Sequence, residues 1–208
     1  MGEAMQQMQP DMAQAAQHPD AAEMRAGPRY TILIRAAKLV TRCGEYLGVI
    51  RDASENGISM RIFHPLPENQ PIIIELQNGD RYGAELRWQD EERAGFRFAH
   101  PADIQRIIES PSDFMKRPVR LNLTAAAQLE SGGRAEYATI QDISQQGAKV
   151  ACHTSYAIDQ CVKLRAEGMH DTLAKVRWRR EGTCGLVFEQ TLQFGELARI
   201  ARALQARI

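Results

Sequence analysis

Hydrophobic positions in this chain come in short bursts. Between Tyr30 and Phe98, the segments Tyr30 to Val40, Tyr46 to Arg51, Ile58 to Phe63, Ile72 to Leu76, Tyr82 to Trp88 and Gly95 to Phe98 are apolar or alternating, with Gly, Pro, Asn and Asp between them. Alternation with a period of two places one row of side chains inward and the next outward, the signature of a half-buried strand. Six such strands at close spacing predict a small closed antiparallel barrel, because closure removes exposed sheet edges. The "QNGDRY" run around Asn78-Gly79 predicts a tight hairpin with both central residues at positive φ.

A longer period follows each set of strands. Pro101 to Glu109 carries Ile104, Ile107 and Ile108 on one helical face, and Phe194 to Ile208 carries Leu197, Ile200, Ala201, Leu204 and Ile208. Stripes of this kind pack against a core.

The pattern occurs twice. "AELRWQDEERAGFRFA" places Trp88, Gly95 and Phe98 where "AKVRWRREGTCGLVFE" places Trp178, Gly185 and Phe188, and "RDASENGI" from Arg51 faces "QDISQQGA" from Gln141, all at an offset of 90. "RYTILIRAAKLV" from Arg29 faces "RLNLTAAAQLE" from Arg120 at an offset of 91, which predicts a one-residue slip between first strand and turn. The chain therefore divides into a disordered tail over 1–24, a barrel with its helix over 25–110 and a second over 111–208. The fold class is all-β with terminal helices: two tandem six-stranded barrels, each followed by an α-helix. The "SPSD" connection from Ser110 to Asp113 is short enough to hold the two in contact.

Charge and chemistry narrow the function. The 26 basic and 26 acidic residues cancel, so no global field attracts nucleic acid or an anionic membrane. The first 24 residues hold Glu3, Asp11, Asp20 and Glu23 with no basic residue, and show no secretory pattern. No window approaches a membrane span. Cys43, Cys152, Cys161 and Cys184 have no Cys-x-x-Cys spacing and lie mostly apart from the histidines, which predicts a reduced, cytoplasmic, metal-free protein. Hydrolase, phosphate-loop and zinc-protease motifs are missing, so an enzyme is not expected.

What remains is arginine and the repeated turn. In "RAGPR", Arg25 and Arg29 stand on an irregular segment where Gly27 and Pro28 exclude a continuing helix. Two guanidinium forks there can converge on phosphate, and each can match a guanine edge or stack on a base. In "DASENG", Asp52 is an acceptor suited to guanine donors, Ser54 can bind phosphate or close the turn, and Gly57 supplies a φ other residues disfavour. Together they describe a guanine nucleotide site.

These residues resemble the signature of the PilZ domain family, bacterial receptors for cyclic di-GMP: Arg-x-x-x-Arg, a gap, then Asp/Asn-x-Ser-x-x-Gly. Arg25, Arg29, Asp52, Ser54 and Gly57 match position by position, and the resemblance extends over everything except the tail. It implies cyclic di-GMP as ligand, no cofactor, and a non-catalytic effector that wraps its arginine segment over the barrel. Its output would be motility, biofilm or polysaccharide, through a protein partner. An aromatic content of 6% and zero net charge rank DNA or RNA binding behind that reading, and with no spanning window no membrane insertion is expected. The second unit keeps Asp142, Ser144 and Gly147 but reads Lys116-Arg117-Pro118-Val119-Arg120 upstream. Lysine has charge without the planar fork, so Lys116, Arg117, Arg120, Asp142, Ser144 and Gly147 form at most a weaker second site. A competing reading, also consistent with the degraded second motif, makes both barrels interaction modules that have lost the nucleotide.

Overall fold

The computed structural model describes residues 30–109 and 118–206, and within the first strand the side chains from Arg35 onward. The tail, the connection at 110–117, and with them Arg25, Arg29, Lys116 and Arg117, lie outside the described residues.

The first unit runs β1 (Tyr30–Thr41), β2 (Gly44–Ser54), β3 (Gly57–Arg61), β4 (Pro71–Leu76), β5 (Arg81–Gln89), β6 (Arg93–Phe98) and α1 (Ile104–Glu109). The second runs β7 (Arg120–Ser131), β8 (Arg134–Ser144), β9 (Gly147–Ala151), β10 (Cys161–Ala166), β11 (Thr172–Arg180), β12 (Thr183–Phe188) and α2 (Phe194–Gln205). Each set closes into a barrel, in the orders β1-β2-β3-β6-β5-β4 and β7-β8-β9-β12-β11-β10, with all recorded pairs antiparallel. Both helices are shorter than their apolar stripes predict, α1 beginning at Ile104 rather than Pro101 and α2 ending at Gln205.

Strand alternation builds the two cores. Leu39, Ile50, Met60, Ile62, Ile72, Ile74 and Ile107 are fully enclosed in the first, and Leu121, Leu129, Ile140, Ile143, Val150, Leu164 and Val176 in the second. Leu47 breaks the separation. Paired with Lys38, it points outward from the first barrel, yet it is fully buried because it packs into the second barrel's cluster.

Helix α2 is the main bridge. Its stripe of Leu197, Ala198, Ile200, Ala201 and Leu204 is buried, while Phe194 meets Phe63 of the first barrel edge-on at 5.7 Å between ring centres. Gln205 pairs with the backbone of Glu45. The Glu45 carboxylate in turn accepts from the Asn122 backbone N–H at 2.7 Å and from its side-chain amide at 3.0 Å. Lys38, itself buried, completes the cluster with ion pairs to Glu45 at 3.3 Å and Glu75 at 3.0 Å. Burying an ammonium demands such partners.

Two local predictions need correcting. The β4–β5 turn has only Gly79 at positive φ, +90°, and Asn78 is not left-handed. Its loop closes with Gly79 N–H to Leu76 C=O at 2.9 Å and Leu76 N–H to Asp80 C=O at 2.8 Å, the geometry of a three-residue hairpin loop, Gln77 to Gly79, ending in a left-handed glycine. The one-residue slip between repeats lies inside the first strand rather than after it. Thr31 to Arg35 spans the same two partner positions on β2 that Asn122 to Ala125 spans on β8, so β1 absorbs one more residue in its irregular stretch.

Candidate functional site

The repeated motif forms the β2–β3 corner. Ser54 pairs with Gly57 across a two-residue turn, and the Ser54 hydroxyl donates to the Gly57 carbonyl at 3.3 Å. Ser144 does the same to Gly147 at 3.2 Å. Serine thus closes the turn in both barrels. The carbonyls of Glu55 and Asn56 accept from the N–H groups of Ala102 and Phe98 at 2.8 and 2.9 Å, and Gln145 and Gln146 are held identically by Leu192 and Phe188.

The motif glycine has a different cause from the predicted one. Neither Gly57 nor Gly147 is at positive φ. A Cβ on Gly57 would stand 2.5 Å from the Phe96 carbonyl oxygen, and one on Gly147 would overlap the Leu186 carbonyl. Glycine is required because β3 crosses β6 too closely for any side chain, and β9 crosses β12 likewise.

Asp52 is aimed by a bulge. Between Ile50 and Asp52 the β2–β3 register shifts by one residue, and Arg51 is the extra one. A bulge bends its strand and re-aims the next side chain. The Ser59 hydroxyl donates to Asp52 Oδ2 at 2.6 Å.

Register extends this into a row. Thr31 pairs with Asp52, Asp52 with Ser59, Ser59 with Gly95 and Gly95 with Trp88. The Trp88 indole lies directly over Gly95, where any Cβ would overlap its ring, and remains 45% exposed. Two strand spacings, about 10 Å, separate the aspartate strand from the glycine under the indole. The outer wall therefore offers an acceptor carboxylate and an aromatic surface with a small hydroxyl between them. Sequence reasoning missed Ser59, which has no counterpart in the second unit because Lys149 stands there. It saw Trp88 only as a mark of the repeat.

The equivalent row of the second barrel is Asn122, Asp142, Lys149, Gly185 and Trp178. Here the aspartate is occupied: Arg120 Nη1 donates to Asp142 Oδ1 at 2.5 Å, and the Lys149 backbone N–H donates to the same oxygen at 3.2 Å. The structure brings Arg120, Asp142, Ser144 and Gly147 together as a self-satisfied cluster.

Beside the first row lies a cleft of about 450 Å³ between the barrels. Arg51, Arg61 and Phe63 line it from the first, and Gln145, Gln193, Phe194 and Gly195 from the second. Arg61 pairs with Arg93 and Val49 in the outward row next to Ser59, and its Nε is buried with no hydrogen-bond partner among the described residues.

No curated protein is significantly similar in sequence. Solved structures with similar chain traces include Borreliella burgdorferi PlzA in complex with c-di-GMP, at 12% identity over 88% of this chain and 96% of that one, with a TM-score of 0.34. Bacillus subtilis MotI/DgrA, an inhibitor of motility, is 14% identical over 85% and 98%, with a TM-score of 0.37. The MrkH–c-di-GMP complex of K. pneumonia is 13% identical over 81% and 84%, with a TM-score of 0.32. The family model for the PilZ domain matches residues 23–110 and again 116–206. On that match, which covers both barrels and reaches upstream over both arginine segments, the chain belongs to the PilZ domain family and carries the domain twice.

Proposed function

We propose that this chain is a non-catalytic cyclic di-GMP effector whose first barrel holds the ligand. The observation that carries the assignment is the placement of Asp52: it faces outward and is oriented by the Ser59 hydroxyl in a row that ends at Trp88, and the chain ahead of it supplies Arg25 and Arg29, whereas the second unit has Lys116 in the first arginine's place and Lys149 in that of Ser59. Lysine lacks the planar fork that meets phosphate or a guanine edge with paired bonds, so the first barrel has the fuller donor set.

On this reading Arg25 and Arg29 take the phosphates and one guanine face, Asp52 accepts from a guanine edge, Ser54 and Gly57 fix the corner, and Trp88 borders the base. Ordering of Met24 to Arg29 over the wall would then alter the surface presented to a protein partner that sets motility, biofilm or polysaccharide output. The adjoining cleft gives a ligand on this wall direct contact with the second barrel, so the angle between barrels is the natural variable. Isothermal titration with cyclic di-GMP tests the assignment. Arg29→Ala abolishes binding and Lys116→Ala leaves it nearly unchanged; the reverse order assigns the ligand to the second barrel. Small-angle scattering that shows identical barrel geometry with and without ligand excludes the change of angle.

A further inference from the structure

The two barrels share a scaffold but not the charge pattern of its outer wall. On β3, β5 and β6 of the first barrel the cations are paired: Arg97 with Glu85 at 3.1 Å, Arg93 with Asp90 at 3.1 Å, Arg81 with Glu75 at 3.4 Å, and Arg61 with Glu92 at 3.6 Å. The corresponding β9, β11 and β12 contain no aspartate or glutamate. Lys149, Lys175, Arg177 and Arg180 have no ion-pair partner among the described residues. At one position the exchange is direct, since Lys175 stands opposite Val187 where Glu85 stands opposite Arg97.

Apolar side chains lie among these cations. Leu173 is 52% exposed, Val187 46% and Trp178 42%. Scattered exposed apolar residues are ordinary, but three on adjoining strands, interleaved with unpaired cations, form the apolar core and polar rim of a docking surface.

We infer that the β11–β12 wall of the second barrel docks an acidic segment of a protein partner, one whose carboxylates alternate with apolar side chains. Charge complementarity selects acid, and Leu173 and Val187 select protein, since aliphatic side chains on a strand wall find no counterpart along a phosphate backbone. Glu181 and Glu189 flank the wall at its two ends. A flat anionic membrane would have to accept both carboxylates while the apolar trio sank about 5–10 Å. That this wall transmits the cyclic di-GMP signal rests on the reading above; that it docks an acidic partner does not.

The test uses the full chain in cells of the source bacterium, with the photocrosslinking residue p-benzoylphenylalanine replacing the exposed Leu173. Illumination is expected to give an adduct with one protein, the crosslinked peptide carrying carboxylates beside apolar residues. Lys175→Glu with Arg177→Glu is expected to lower its yield about tenfold, as loss of complementary charge lowers encounter rate and affinity together, and Arg81→Glu on the first barrel to leave it unchanged. An adduct with nucleic acid, lipid or the chain's own residues 1–24, an adduct that survives the double charge reversal, or no adduct overturns the inference. Titration of the purified double variant with cyclic di-GMP separates the two readings. Unchanged binding supports a distinct docking wall, and lost binding makes it a nucleotide site and overturns the inference. If neither wild type nor variant takes the dinucleotide while the charge-dependent adduct persists, the effector reading fails and the docking surface stands.

Discussion

Gln205 pairs with Glu45 as a strand residue would. Its Oε1 accepts from the Glu45 N–H at 2.8 Å and its Nε2 donates to the Glu45 carbonyl at 2.9 Å, with a second bond to the Ala201 carbonyl at 3.0 Å. One buried amide at the end of α2 thereby fixes the second unit against the opening of β2. Gly44 beside it has a φ of +139°, which favours glycine, and a Cβ there would also overlap the Gln205 amide.

Gln205→Leu removes both bonds and leaves two backbone groups of Glu45 under an apolar side chain. A buried group without its partner costs about 1–3 kcal/mol. The expected result is earlier separation of the barrels during thermal unfolding, read as a second calorimetric transition, with each barrel still able to melt cooperatively. A single unchanged transition would show that Leu47 and the Phe63–Phe194 contact suffice without the amide.

Gly57→Ala and Gly147→Ala are expected to destabilise their barrels by forcing β3 from β6 and β9 from β12, at about 1–3 kcal/mol each as for overpacking elsewhere. Gly79→Ala meets no atom within 4 Å and is charged only for its left-handed backbone, about 1 kcal/mol. Chemical denaturation of the three variants separates the causes. Equal losses at all three would favour backbone conformation over crowding.

This contrast marks what the chain's pattern reveals and what it conceals. The period of two and the breakers located the six strands of the first barrel to within a few residues, and the repeat carried the same plan to the second, because burial of alternate side chains dominates the energetics of a barrel wall. The role of the motif glycine was misassigned because its constraint is a carbonyl on another strand, about forty residues away in each barrel, and no local rule encodes it. Ser59 was invisible for the same reason, since only register places it against Asp52. The exchange of lysine for arginine at 116 pointed to a weaker second site, but the Arg120–Asp142 pair that occupies its aspartate depends on packing.

At the first barrel, Asp52→Ala is expected to weaken cyclic di-GMP binding about tenfold to a hundredfold, the range for one charge-assisted hydrogen bond. Ser59→Ala should cost less, because it only orients the carboxylate. Asp142→Ala should leave affinity and stoichiometry unchanged. Titration calorimetry reads all three, and a halved stoichiometry in the Asp142 variant would establish a working second site.

His64 gives the fold a pH dependence of defined sign. It is 4% exposed, sits edge-on to Tyr46 at 5.2 Å and has its Nδ1 against the Pro65 carbonyl at 3.0 Å. Burial holds its pKa below the usual histidine value; the Pro65 hydrogen bond opposes the shift and the Arg202 guanidinium of α2 adds to it. Below about pH 6.5 the unfolded chain therefore binds a proton that the folded chain does not. The stabilisation is complete above that pH and declines as pH falls, levelling once the folded imidazole itself protonates. Melting temperature should fall between pH 7.5 and 5.5, and His64→Leu should flatten that slope. A slope unchanged in the variant would assign the dependence to other groups.

The corner holding Asp52-x-Ser54-x-x-Gly57 is tied by two backbone bonds, from Ala102 to Glu55 and from Phe98 to Asn56, to the stretch that enters α1. A force applied at the motif reaches the chain leaving the barrel through two hydrogen bonds and a few residues, without crossing the core. Mechanically, the corner and the barrel's exit are a single joint: the wall can stay stiff while the joint carries the load, and strand β9's corner is built to the same plan at Gln145 and Gln146.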